Sequence, residues 1–307
     1  MGAQLWALDL KHQALRLRSP KGIAKRTDYY AAYNLKDLPP HCFETDFLRR
    51  VEEEAAPLLV KLRDGNFRLS DSERSRLAIF IALLFARTPG TRDAVEVLAT
   101  KMIEAVVRRD VRGLDFARTM RAANKGRELP DSRIEELREL LLKPRAFRAS
   151  IIPEFTLLSI LKVTDTVARI IFEMGWRFVI PPLGKHFLAS DNPVFWYDPT
   201  SPPPFSNGLA SRNVILTFPI GPEVALVGNW HDSSDSYNRV EDSIVGDING
   251  IVISSAERWV IAARKEEAQF ALARWQQMKS RGMRLGPRTI ETFEIAGDRS
   301  GIGSVLR

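Results

Sequence analysis

The residues best suited to chemistry in this chain stand together at Phe187-Leu188-Ala189-Ser190-Asp191-Asn192-Pro193-Val194-Phe195. There, three polar residues and a proline interrupt two apolar stretches. Asp and Asn side chains bond nearby backbone amides and favour turns, and proline fixes the exit. One reading is a tight, hydrogen-bonded connection. The other is a carboxylate and an amide, Asp191 and Asn192, held rigidly at a strand end for general-base or metal work. With apolar strand pieces on both sides, Asp191 is expected to accept hydrogen bonds from nearby backbone amides or an arginine side chain.

Other chemical motifs are sparse. The four histidines are His12, His41, His186 and His231, and no two share a helical face. His231-Asp232 with Asp235 could supply three ligands from one loop, although a polar loop explains them more simply. Which metal or cofactor the chain holds, if any, stays unknown at this level. No Gly-x-x-x-x-Gly-Lys-Ser/Thr loop, dinucleotide fingerprint or Gly-x-Ser-x-Gly elbow occurs, and Gly301-Ile302-Gly303 lacks the strand–helix context of one. A nuclease carboxylate followed by x-Lys fails at Glu223, which precedes Val224 and Ala225.

Charge offers a second lead. The 307 residues carry a net charge of +7, with an estimated pI near 9.6, which favours polyanions and says nothing of fold. Arg108, Arg109, Arg112, Arg118, Arg121, Lys125 and Arg127 crowd the stretch 105–127, against Asp110 and Asp115 alone. Lys279, Arg281, Arg284 and Arg288 follow near the end with no acid among them. These residues read either as a phosphate-binding surface or as an ordinary solvated face. A hydrophobic fraction of 45% excludes disorder over the whole length. No apolar run approaches the roughly 20 residues that cross a bilayer, and no basic-then-apolar leader is expected at Met1–Leu5. A lone cysteine, Cys42, suggests a reducing, cytoplasmic setting.

The elements that must position these groups follow from periodicity. Trp6, Leu8 and Leu10, then Leu15 and Leu17, predict a hairpin turning at Lys11–Gln13. Because a lone hairpin is marginal, it should pair with strands from the last third. Helical spacing predicts one helix through Phe47–Leu62 kinked at Pro57 and stopped at Gly65. A second starts at a Ser70/Glu73 capping box and ends at Thr88-Pro89-Gly90. Further helices cover Val95–Val106, a short one capped by Ser132 and Glu135, and Pro153–Met174 ended by Gly175. Strands are predicted at Trp176–Ile180, Phe187–Ala189, Val194–Tyr197, Val214–Phe218, Val224–Val227 and Trp259–Ala262. Loops are expected at Pro199–Gly208 and His231–Asn238, helices at Ser243–Ala256 and Lys265–Lys279, and a mobile tail at Gly297–Arg307. The order predicts an α+β fold, with an N-terminal β-hairpin and C-terminal antiparallel strands around a central helical bundle. It also predicts one integrated domain over 1–264, helical over about 44–174 and strand-rich over about 175–263. An amphipathic helix and tail follow at 265–307.

Several pieces, in order, carry a family resemblance. They are Leu5-Trp6 with Ile23-Ala24 and Asp28-Tyr29-Tyr30; Glu52 before Ala55-Ala56-Pro57; Ala86-Arg87-Thr88-Pro89; Phe187–Val194; Phe218-Pro219-Ile220 leading to Ala225-Leu226; and Asn249 before Ala256-Glu257-Arg258-Trp259-Val260. From about Leu5 to Ala263 the chain resembles the bacterial domain-of-unknown-function family 4238. Members of that family open with a His-x-x-Pro-Gln-Phe-Tyr-Leu-like segment, where this chain has Met1–Gln4. The resemblance implies a bacterial or phage origin and one integrated domain, and brings no established reaction.

Two functions of different class remain. In a hydrolase of phosphodiesters or nucleotides, Asp191 would be base or metal ligand beside Asn192. Arg87 would grip an anion, and Asn249 and Glu52 would orient groups around it. Alternatively, Arg87 and Glu52 form an ion pair buried between helices, whose loss would destabilise without any catalysis. In a non-catalytic binding module, of a toxin or defence system for example, Arg108, Arg109, Arg112, Arg118 and Arg121 would meet nucleic acid or an acidic partner. A site requires Asp191, Arg87 and Asn249 to converge in one solvent-reached pocket. A module requires them inside and the arginines outside.

Overall fold

The computed structural model describes residues 4–20, 23, 39, 41–124, 128–143, 152–200, 208–232, 235–283 and 285. The expectations for Ala24, Asp28–Tyr30, Lys125, Arg127, Arg284, Arg288 and Gly297–Arg307, and for most of Pro199–Gly208, lie outside them.

The alternating apolar residues of β1 (Leu5–Asp9) and β2 (Ala14–Arg18) form the predicted antiparallel hairpin. Gln13 closes its turn with φ of 51°. A π-helical turn (Phe43–Leu48) leads into α1 (Arg49–Arg63), which continues through Pro57 and is followed by Gly65 at φ of 83°. α2 (Asp71–Ala86) starts at the predicted capping box. Ser70 Oγ accepts from Glu73 N, and the Glu73 carboxylate accepts from Ser70 N at 2.8 Å. Lys61 also donates to that carboxylate, and these bonds hold Glu73 down at about 2. α3 (Pro89–Arg112) begins with Pro at its first position behind the Thr88 cap.

After α3 come α4 (Phe116–Ala123), α5 (Asp131–Leu142) and α6 (Pro153–Glu173). The eight residues of α4 are too few for periodicity to reveal. α5 starts at Asp131 behind Pro130, so Ser132 lies inside the helix and caps nothing. Gly175 also differs from expectation, since it opens a strand. A Cβ there would lie 2.2 Å from the Asp232 carbonyl oxygen, so close approach demands glycine. Arg74 closes α6 instead, donating to the carbonyls of Phe172 and Met174 and lying 4.0 Å over the Trp176 ring.

The remaining elements are β3 (Gly175–Ile180), β4 (Ala189–Ser190), β5 (Phe195–Tyr197), β6 (Ile215–Gly221), β7 (Val224–Asn229), β8 (Ser236–Arg239), α7 (Asp242–Ser255), β9 (Trp259–Ala262) and α8 (Lys265–Ser280). Two sheets result. One has the order β2-β1-β9-β4 and is antiparallel throughout, so the N-terminal hairpin does join the C-terminal third. The other has the order β5-β6-β7-β3-β8 and is antiparallel except where β8 runs parallel to β3. β8 lies in the stretch expected as a polar loop. Its signal is backbone pairing with β3 and the packing of Tyr237 on Phe67, not an apolar run.

The largest core lies between α1, α2, α6 and one face of the five-stranded sheet, around Leu62, Ile81, Ile171, Trp176, Phe178 and Leu216. α7 packs Val245 and Ile248 under the other face, and Val252 and Ile253 into the core beneath the four-stranded sheet. It therefore bridges the two sheets. The fold is α+β, with hairpin and C-terminal strands set around the helices. Gly175→Ala should cost about 1–3 kcal/mol through overpacking, or several degrees of Tm at about 2–4 °C per kcal/mol. Calorimetry showing an unchanged Tm would mean the β3 entrance yields freely.

Candidate functional site

The Ser190–Pro193 turn faces the loop between α7 and β9. Asp191 Oδ1 accepts from Glu257 N at 3.0 Å, and Oδ2 accepts from Arg258 N and Trp259 N at 2.9 and 3.1 Å. Asp191 N donates in turn to the Trp259 carbonyl. Burial raises the Asp191 pKa, and the backbone donors offset part of that rise. The carboxylate thus lies in a concavity of successive N–H groups, of the kind that binds anions. Asn192 Nδ2 donates to the Ser255 carbonyl at the end of α7, and Ser190 Oγ both donates to Asn192 O and accepts from Asn192 N.

Asn249 completes the same arrangement from α7. Its Oδ1 accepts from Leu188 N at 2.8 Å and its Nδ2 donates to His186 O at 3.0 Å. Of the strand predicted over Phe187–Ala189 only Ala189 pairs with β9, and the pairing continues to Ser190 instead. Asn249 supplies the backbone partners that no strand provides to His186 and Leu188. The structure therefore gathers Asp191, Asn192 and Asn249 around one segment, each bonded to main chain.

Arg87 and Glu52 form a separate pair. Arg87 Nη1 donates to Glu52 Oε1 at 2.6 Å between the end of α2 and α1, so the expected ion pair forms, but both side chains are partly exposed and it is not buried. Glu257 links this neighbourhood to the turn, accepting from Gly90 N at 2.7 Å in the first turn of α3. A carboxylate there meets the positive end of the helix.

Three residues escaped notice as candidates. Asp9, at the end of β1, is 5% exposed and accepts from Lys11 N, His12 N, His12 Nδ1 at 2.9 Å and Arg258 Nη2 at 2.8 Å. Burial pushes its carboxyl up, but the bonds from Arg258 and His12 outweigh that and hold it well below the usual range. Arg258 also lies 4.8 Å over the Trp259 ring. The spacing Asp9-x-x-His12 in a hairpin turn is the one sequence signal that points to them. The geometry matches a carboxylate orienting an imidazole, and His12 is more than half exposed.

Metal and charge signals fare differently. Asp232 meets Arg177 and Asn229, and Asp235 meets Arg74 and Trp176 N. Among the described residues no group of three or more His, Cys, Asp or Glu could hold a metal ion. Of the predicted basic set, Arg109, Arg118 and Arg121 reach Asp110, Asp115 and Asp131, while Arg108 and Arg112 have no carboxylate partner among the described residues. No described helix is long and apolar enough to cross a membrane.

Asp191→Ala should cost about 1–3 kcal/mol, since it orphans three donors. Asp191→Asn should also lose stability, because its amide must point hydrogens at one side of the same cluster; a Tm equal to wild type in both would refute the clamp. The pH responses of the two acids have opposite sign. The lowered Asp9 pKa adds stability above the unfolded value, near 4, that is lost as pH falls. The raised Asp191 pKa adds stability below that value that is lost as pH rises through it. A pH–Tm profile of Asp9→Asn should therefore lose part of its acid limb, and an unaltered limb would exclude Asp9 as its source.

No curated protein and no solved structure matches this chain. The model of the family described as protein of unknown function (DUF4238) matches residues 1–266, which takes in the hairpin, both sheets, the Asp191 turn and the Glu257–Trp259 loop that it clamps. With so much of its length matched, the chain belongs to the DUF4238 family.

Proposed function

We propose that this chain is a non-catalytic protein-binding module. The observation that carries the reading is the use of its candidate catalytic groups. Asp191, Asn192 and Asn249 are each bonded to backbone of neighbouring segments, which leaves little capacity to meet a substrate. Meanwhile α3 turns Leu98, Met102, Ile103 and Val106 to solvent. An apolar stripe of this kind is the material of protein interfaces.

Nucleic acid is the weaker partner on this reading. Three of the five arginines in its predicted footprint face carboxylates, and α5 adds Glu135 and Glu136 close by in sequence. The hydrolase reading retains one supporting geometry, the Asp9–His12 pair, and would need His12 rather than Asp191 as its base.

Incubation with nucleotides and an aryl phosphodiester, with and without Mg²⁺ or Mn²⁺, should give no turnover above blank. Turnover abolished by His12→Ala or Asp191→Asn in a folded variant would overturn the reading. Labelled DNA and RNA oligomers should bind only non-specifically, at Kd of about 10⁻⁴–10⁻⁶ M near physiological salt, and weaken as salt rises. Tight, salt-insensitive binding in an anisotropy titration would favour a nucleic-acid partner instead.

A further inference from the structure

α3 is 24 residues long and carries two rows of side chains that belong to no core cluster and no ion pair among the described residues. Leu98, Met102 and Val106 recur every four residues and are 48%, 62% and 48% exposed. Residues at that spacing lie one above another on a helix. Beside this stripe, Lys101, Arg108 and Arg112 recur at intervals of seven and four, which places them along one flank. None of the three has a carboxylate partner among the described residues, and Glu104, between the first two, pairs with neither. The neighbouring cations differ, since Arg92 is held by Glu96 and Arg109 by Asp110.

We infer that α3 seats an acidic amphipathic helix of a protein partner, its apolar side chains laid on Leu98, Met102 and Val106 and its carboxylates facing Lys101, Arg108 and Arg112. The inference rests on the binding-module reading and names the partner chemistry. Two features decide for such a helix. An apolar stripe takes anchors at helical spacing, the mode in which a helix fills a groove. An unpaired cationic row along one flank selects charge and register, which a neutral or basic helix would not satisfy. An anionic membrane would share the cations, but a row of three falls short of the roughly four to eight on an amphipathic helix that mark an anionic lipid surface. Nucleic acid has no use for the stripe.

The test uses the full chain and two labelled peptides of about 18 residues, five helical turns, with the same leucine stripe and either Glu or Lys on its flank. The Glu-flanked peptide should bind saturably in an anisotropy titration, and the Lys-flanked one at least about tenfold more weakly. Leu98→Asp with Met102→Asp should weaken the Glu-flanked peptide by about tenfold or more. Lys101→Glu with Arg108→Glu and Arg112→Glu should reverse the preference between peptides. Leu98, Met102 and Arg112 are exposed and Lys101 and Arg108 half-buried, and circular dichroism with a melt verifies that each variant folds. Equal binding of both peptides, no saturable binding, or binding indifferent to Leu98 and Met102 would overturn the inference. Sedimentation with phosphatidylserine vesicles that depends on Met102 would overturn it in favour of a lipid surface. Each of these failures leaves the turnover assay, and so the non-catalytic reading, standing on its own result.

Discussion

A carboxylate that has left water must find donors, and Asp191 finds three in succession on the backbone of Glu257, Arg258 and Trp259. The rest of the arrangement hangs on that constraint. The three donors belong to the loop that ends α7 and starts β9, so the bond set holds a helix end, a strand start and the β4–β5 turn in one geometry. β9 is the central connection of its sheet, pairing with β1 on one side and β4 on the other. Fixing its first residue therefore fixes the register in which the N-terminal hairpin docks. Arg258, held in that loop, reaches Asp9 at the hairpin turn, so the same segment is tied at the main chain and at the side chain.

α7 extends the constraint to the second sheet. Its apolar residues serve two cores, with Val245 and Ile248 under the five-stranded sheet and Val252 and Ile253 under the four-stranded one. Between them lies Asn249, buried and bonded to the main chain of Leu188 and His186. The 186–192 segment passes between the sheets without a strand partner over its first residues. Asn249 and Asp191 supply from side chains what β-pairing would otherwise supply, so a polar group at either place is a structural necessity. His186 Nδ1 adds a hydrogen bond with the Glu267 carboxylate of α8, and Glu267 also accepts from Arg264 N. α8 is thereby joined to the same segment.

α3 follows another logic. Thr88 caps its start, Glu257 accepts from Gly90 N there, and Val111 packs with Phe116 and Ile134 at its far end. The middle of the helix is left with apolar side chains facing water, where burial would yield about 25 cal/mol per Å² if a partner covered them. A helix fixed at its ends and open along its middle presents a surface at no cost to the cores. That division, a scaffold closed by polar clamps and one helix with an apolar face open among the described residues, is what the proposed recognition role rests on.

By itself, the sequence determined the elements whose causes are local. Alternation named β1 and β2, helical spacing named α1, α2, α3, α6, α7 and α8, and the Ser70/Glu73 box marked the start of α2 to the residue. It also determined that Asp191 must find hydrogen-bond donors, because apolar neighbours on both sides forbid a bare carboxylate. Tertiary structure decided the partners. Which three amides Asp191 would meet, that Asn249 would stand in for a missing strand, and that Arg258 would reach across 249 positions to Asp9 depend on contacts between segments remote in sequence. The same holds for β8, a strand made by pairing with β3 and not by its own residues, and for Gly175, glycine because Asp232 comes to lie against it. Propensity is a property of neighbours along the chain, whereas these roles are set by neighbours in space, whose identity exists only once the chain has folded.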